Sequence, residues 1–201
     1  MDFVFSTCLG IGLAAACGFR IFVPMLILSI GAQADQLELG MGFEWLDSPV
    51  ALTCLAVATA LEIGAFYIPW LDNLLDTIAT PAAMVAGTIL TASAVTDMTP
   101  LTKWTVAIIA GGGAAGMVQT GTVLVRGAST ASTGGGGNFV VSTAEWISAL
   151  LVTLLALIVP ILATVVVLLM VAYVIYRLAN RRPALLPVEK QPPAKQASRV
   201  E

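Results

Sequence analysis

Eight polar residues stand in or beside long apolar runs and could do chemistry there: Arg20, Glu62, Asp72, Asp76, Gln119, Arg126, Asn138 and Glu145. Arg20 is the one side chain charged at neutral pH between Val4 and Ile30. A guanidinium near the middle of an apolar span costs roughly 3 kcal/mol on insertion scales, so it faces other helices or a watery cavity and takes a partner. Snorkelling from an ordinary anchor helix is the alternative. Glu62 lies two-thirds of the way along the next apolar run, Val50 to Ile68. In two antiparallel spans Arg20 and Glu62 differ in depth by roughly 9 Å at ~1.5 Å per residue. Long side chains close such a gap, and the pair would either lock the fold or form a switchable gate. Asp72 and Asp76 are one helical turn apart; they draw a cation or proton to a vestibule, or simply form a solvated face.

Catalysis has little to stand on. The chain contains no histidine, which removes the commonest neutral-pH proton shuttle and metal ligand. Cys8, Cys17 and Cys54 lie in apolar stretches without CxxC spacing and read as small buried hydrophobes. There is no HExxH motif and no acidic cluster of the kind that holds catalytic magnesium. The expectation is a protein that is not an enzyme, with no catalytic residue, metal or cofactor. Nucleic acid is not an expected partner. Arg177, Arg181, Arg182, Lys190, Lys195 and Arg199 make up most of the nine basic residues, and all lie in a short tail suited to topology and lipid headgroups.

The elements that must position these residues belong in a bilayer. Of 201 residues 58% are hydrophobic and 10% charged, with mean hydropathy +0.95, against about 25% charge in soluble domains. Long continuous apolar runs demand helices rather than a closed barrel of alternating strands. The expected fold is all-α: a polytopic helical membrane protein of about five to six membrane segments with Gly/Pro-broken or re-entrant helices. Residues 1–179 form a single transmembrane domain and 180–201 a disordered, basic, proline-rich tail. Asp2 is the one charge before Arg20, so a secretory n-region is missing and the first span is expected to be retained.

In chain order, the first span runs from Val4 to Ile30, with Gly10, Ala14 and Gly18 as a small-residue stripe. Pro24 should kink or break it. An acidic loop, Gly31 to Asp47, precedes Ser48-Pro49, a helix start with Ser as N-cap. Pro69 and Pro81 bracket a short amphipathic helix, and Ala82 to Thr96 is apolar but short of the ~20 residues a crossing needs, unless extended backwards. Trp104 to Val125 is interrupted by glycines including Gly112 and Gly116, positions for packing or a helix break, and ends at Arg126. Gly127 to Val141 reads as a flexible connector, or as a backbone cradle for an anion at its four glycines. Ser142 to Glu145 has capping-box spacing and starts the last apolar run, which Pro160 should break.

The halves 1–98 and 99–179 resemble each other at an offset of about 100 residues, as Gly10 to Ala15 against Gly111 to Ala115 and Glu44-Trp45 against Glu145-Trp146. An inverted repeat of this kind places a transporter's site at interrupted segments; tight helix packing by small residues explains the same pattern. The basic tail puts the C-terminus in the cytoplasm.

Three blocks carry a resemblance to a known family. They are Gly12 to Pro24 with its Gly18-Phe19-Arg20-x-Phe22-x-Pro24 run; Glu62 followed by Pro69, Asp72, Asp76 and Pro81; and Arg126-Gly127-Ala128-Ser129 followed by Thr133-Gly134-Gly135, Asn138 and Ser142 to Glu145. In these the chain resembles the bacterial membrane proteins grouped as domain of unknown function 4126. Phe139 stands where the family's pattern has a proline. The resemblance implies a bacterial inner-membrane protein and carries no catalytic or transport role. From the residues, two functions are expected. One is a small transporter or channel with a site between two broken helices, Arg20 offering positive charge and Glu62 coupling to a proton or cation. The other is a non-transporting scaffold or lipid-binding protein. The expected partners are membrane lipids, a small solute or ion, and further copies of the chain.

Overall fold

Alanine- and glycine-rich apolar runs fold as helices in this chain, the form in which an apolar segment satisfies its own backbone donors. The computed structural model describes residues 3–65, 67–96 and 98–180, and among these no strand occurs. The expected disordered tail lies, from 181 onward, outside the described residues. The helices are α1 (Phe3–Cys17), α2 (Phe22–Gln33), α3 (Pro49–Ala65), α4 (Pro69–Ala94), α5 (Pro100–Val106), α6 (Gly113–Thr133), α7 (Asn138–Ile158) and α8 (Pro160–Ala179). A 3₁₀ turn, Glu44–Asp47, precedes α3, and a π-helical stretch, Ala107–Gly112, joins α5 to α6 without interruption.

Among the described residues three helical stretches are long and apolar enough to cross a membrane: Thr77–Ala94, Pro100–Thr133 and Asn138–Ile158. Phe3–Cys17, Phe22–Gln33, Pro49–Ala65 and Pro160–Tyr173 are apolar but shorter. The first span is therefore two helices, and its break falls at residues 18–21, ahead of Pro24. Pro24 sits in the first turn of α2, where a missing N–H costs nothing. Pro81 ends nothing either: it lies inside α4, which carries the amphipathic stretch and the apolar stretch as one helix. Pro69 opens that helix, Pro160 opens α8, and the oxygen of Ser48 accepts from Ala51 N at 3.1 Å at the start of α3. Glycines 111–113 do not break their helix; they accompany its widening into a π turn, a form that recurs at functional sites.

The core sits around α1, which packs on α4, α7 and α8. Residues Leu13 to Cys17 are wholly buried, as befits a helix apolar on every side. Cys17 lies in that core, whereas Cys54 is exposed on α3, so the expectation of three buried cysteines fails there. Small residues set the distances between helices, since lipid tails supply no hydrophobic drive and close packing takes its place. A Cβ on Gly87 of α4 would come within 2.6 Å of Ala115 Cβ and 2.9 Å of the Gly111 carbonyl. One on Gly116 would meet Met84 at 2.8 Å, and one on Gly112 would meet Thr88 Oγ1 at 2.7 Å. Thr91 Oγ1 donates to Gly10 O at 3.0 Å across the α1–α4 contact.

The acidic loop folds down over one end of the bundle. Gly40 N donates to Ser93 O at 2.7 Å and Ser29 Oγ to Leu46 O at 2.6 Å. The Lys103 ammonium donates to Met41 O at 3.3 Å and lies 4.8 Å from the centre of the Phe43 ring, a cation–π contact. Glu44 accepts from Gly42 N with both oxygens at 3.0 Å; its own backbone N–H and that of Gly42 hold its carboxyl below the usual range.

Overpacking in a full core costs about 1–3 kcal/mol, while Gly to Ala at an open helical position gains about 0.5–1 kcal/mol. Gly87→Ala is expected to lower the melting temperature in detergent. Gly121→Ala, where an added Cβ meets nothing within 4 Å, should hold or raise it.

Candidate functional site

A carboxylate buried among apolar helices ionises only if cations come to it. Glu145, in the middle of α7, gathers two. Arg20 Nη2 donates to Glu145 Oε2 at 2.9 Å and to the Ser142 carbonyl at 3.2 Å. Arg126 takes the same carboxylate side-on, Nε donating to Oε1 at 3.1 Å and Nη2 to Oε2, the two-pronged geometry for which the guanidinium is suited. Relative exposure is 2% for each arginine and 4% for Glu145. The cluster thus joins the α1–α2 break, α6 and α7 through charge.

The break has its own accounting, because non-helical backbone in a bilayer must find partners inside the protein. The amides of Gly18, Phe19 and Arg20 donate back to carbonyls of α1, to Ala15 O and Ala16 O. Those of Ile21 and Phe22, at the N-terminus of α2, donate to Glu62 of α3 at 2.8 and 3.0 Å. Glu62 is therefore a capping carboxylate supplied by another helix, placed where the positive end of the α2 dipole favours an anion. The salt bridge seen for Arg20 is to Glu145, at 2.9 Å, where the sequence offered Glu62 as its partner. Glu145 takes Arg20, and Glu62 serves the backbone one and two residues further on.

Beside the cluster lies a cavity of about 800 Å³ bounded by α4, α6, α7, α8 and Phe19. Its walls are apolar, with Met84, Met117 and Met170 among them, and Glu145 lines it as well. The charged cluster therefore borders open space.

A family model described as a domain of unknown function, DUF4126, matches residues 7–180. The chain belongs to the DUF4126 family. No curated protein and no solved structure matches it.

In this DUF4126 chain the expected site residues separate. Arg20, Arg126 and Glu145 come together, with Glu62 within electrostatic range of Arg20 and Glu145. The apolar runs place Arg126 and Glu145 near segment boundaries, but α6 runs on to Thr133 and α7 starts already at Asn138. The connector shrinks to the turn Gly134–Gly137, and Glu145 is a mid-helix side chain, no cap. Four of the amides at 134–138 are spent within the turn and on Thr130 and Thr133: Gly134 N on Thr130 O, Gly136 N on Thr133 O, Gly137 N on Thr133 Oγ1, Asn138 N on Gly135 O. The amide of Gly135 alone is too little for an anion cradle. Asn138 bonds Thr130 at the turn, and Gln119 is buried on α6 with no hydrogen bond to the cluster among the described residues. Asp72 and Asp76 lie on α4, but their side chains fall outside the described residues. Gly18 holds the break against α6, since a Cβ there would meet Ala115 O at 2.6 Å. Sequence reasoning missed the Ser142 carbonyl, Phe19 and the methionine wall, which carry no charge to mark them. Among the described residues no group of His, Cys, Asp or Glu is placed to hold a metal.

Loss of a capping side chain costs about 1–2 kcal/mol. Glu62→Ala is expected to destabilise by that amount, Glu62→Gln by less because an acceptor remains, and hydrogen exchange at Ile21 and Phe22 should quicken most in the alanine variant.

Proposed function

We propose that this chain is a non-enzymatic, multi-pass protein of the bacterial inner membrane that binds and moves a small solute or ion at the Arg20–Glu145–Arg126 cluster. The observation that carries this is the double position of Glu145, which anchors both arginines and at the same time lines the cavity. A purely structural ion cluster gains nothing from bordering space, whereas ionisable groups beside an intramembrane cavity mark substrate or ion pathways.

Five to six membrane segments follow if the shorter apolar helices pair up or re-enter beside the three long ones, and the basic tail sets the C-terminus in the cytoplasm. An inverted relation between the halves draws support from Gly10 and Gly111, which both close on Thr91 of α4. The two Glu-Trp pairs give it none: Glu44-Trp45 lies on a 3₁₀ turn and Glu145-Trp146 inside α7. Lipids, or a further copy of the chain, cover the exposed apolar flanks of α7 and α8. A second reading, a non-transporting scaffold or lipid-binding protein, is favoured by the apolar walls of the cavity.

Glu145→Asp keeps the charge and shortens its reach, and a displacement of about 1 Å at a working site costs up to ~100-fold. In proteoliposomes screened with inorganic ions, organic anions, organic cations and uncharged organic solutes, wild type should carry one class. The aspartate variant should lose at least about tenfold of that flux with its melting temperature held within a few degrees. No flux in any class, together with stabilisation by lipid alone, would move the assignment to the second reading.

A further inference from the structure

Glu145 is the one ionisable side chain among the described residues that line the cavity. A carboxylate offers about four lone-pair sites. Oε2 takes Arg20 Nη2 and Arg126 Nη2, and Oε1 takes Arg126 Nε. One acceptor site on Oε1 is left, and Glu145 borders the cavity. The mouth of that cavity is hydrocarbon: Met117, Leu124, Val125, Val140 and Ile175 are each more than half exposed. In a bilayer such a mouth meets acyl chains, so entry is sideways from the membrane. A volume of about 800 Å³ lies within the range of cavities that enclose a small organic ligand, and three methionines give the wall adaptable shape.

The head group follows from the open acceptor on Glu145, since the hydroxyls of Thr80, Thr120, Thr122 and Ser148 that also line the cavity both donate and accept and select no charge. An anionic head brings only acceptors, and the open position on Oε1 is itself an acceptor, so no hydrogen bond forms between them. A cationic head would leave water for a carboxylate whose single charge the two guanidinia already outweigh, so its desolvation would go uncompensated. A hydroxyl supplies one donor and brings no charge. We infer that the cavity is a lateral site for an uncharged, hydroxyl-headed amphiphile of the bilayer, its hydroxyl donating to Glu145 Oε1 and its apolar body lying among α6, α7 and α8. This rests on the cluster being a binding site and names the ligand class for it.

The test uses the full chain in zwitterionic lipid nanodiscs with photoreactive long-chain probes of equal length bearing an alcohol, a carboxylate or a trimethylammonium head. The alcohol should label peptides of α6 and α7 that line the cavity. Unlabelled alcohol should suppress that labelling about tenfold, the charged analogues and anionic phospholipid much less. Gly121 lines the cavity, and a Cβ added there meets nothing within 4 Å, so Gly121→Leu adds bulk on the cavity wall from an open Cβ position. It should abolish labelling at unchanged melting temperature. Labelling by a charged probe in place of the alcohol, or displacement by anionic phospholipid, overturns the ligand class alone. Alcohol labelling that survives Gly121→Leu overturns the site in this cavity. Labelling by none of the three overturns the cluster as a binding site too. Labelling reads occupancy, so each of these outcomes holds whether or not the protein carries flux.

Discussion

The attraction of two guanidinia for one carboxylate, out of reach of water, is the interaction on which the arrangement of this bundle depends. Each of the three charges would cost several kcal/mol if buried alone. They can stay ionised only while the α1–α2 break, α6 and α7 hold their present relation. The interaction is thus a constraint on three elements far apart in sequence: Arg20 is 125 residues from Glu145. An apolar bundle in lipid has little else to choose between one helix packing and another, since its flanks are as content with acyl chains as with each other. Charge supplies that choice.

Close approach makes the constraint achievable. Arg20 reaches α7 because the chain stops being helical just before it, and it stops against α6, where Gly18 leaves no room for a side chain. The same device recurs where Gly87, Gly111 and Thr91 bring α4, α1 and the π-helical stretch together. The opened backbone at the break is then repaired from outside, by Glu62 reaching across from α3. A mid-membrane break is tolerable only with such an outside acceptor. Glu62 and Glu145 accordingly divide the work: one serves the exposed amides of the break, the other its side chain.

Much of this is legible in the residues. Composition gives an all-helical chain with stretches long and apolar enough to cross a membrane, and Arg20 announces a buried partner by its cost alone. Which carboxylate it takes is not legible, because depth in a span fixes height and says nothing of rotation or neighbour. Arg126 and Glu145 are a different case. Arg126 is eight residues before Gly134 and Glu145 eight after Gly137. If those glycines are the turn of a helical hairpin, the two residues stand at equal height, about 12 Å from it at 1.5 Å per residue. Reading the glycines as a long flexible connector, and Ser142 to Glu145 as a capping box, hides that symmetry. Propensity misleads here: Gly127 to Thr133 is a poor helical sequence by composition, yet it continues α6, because hydrogen bonds from Ser132 and Thr133 hydroxyls to the preceding turn and the αL glycine at 134 terminate it later. Pro81 misleads in the same sense, as it suggests a boundary where α4 runs on.

The hairpin symmetry also bears on motion. Because α6 and α7 meet at a short turn and are clamped to each other by Arg126 and Glu145, they behave as one unit along that length. Arg20 is attached to this unit by its bonds to Glu145 Oε2 and Ser142 O, and beyond Arg20 the chain continues into α2, whose first amides belong to Glu62 on α3. Any shift of the α6–α7 unit therefore pulls on the α1–α2 break, and through it on α3. The cavity lies on the side of the unit that faces α8, so occupancy there and the geometry of the break are linked through Glu145 and Phe19. Coupling between sites needs a shared element whose position both can bias, and here Phe19 lies in the break and lines the cavity, while Glu145 lines the cavity and holds Arg20 of the break.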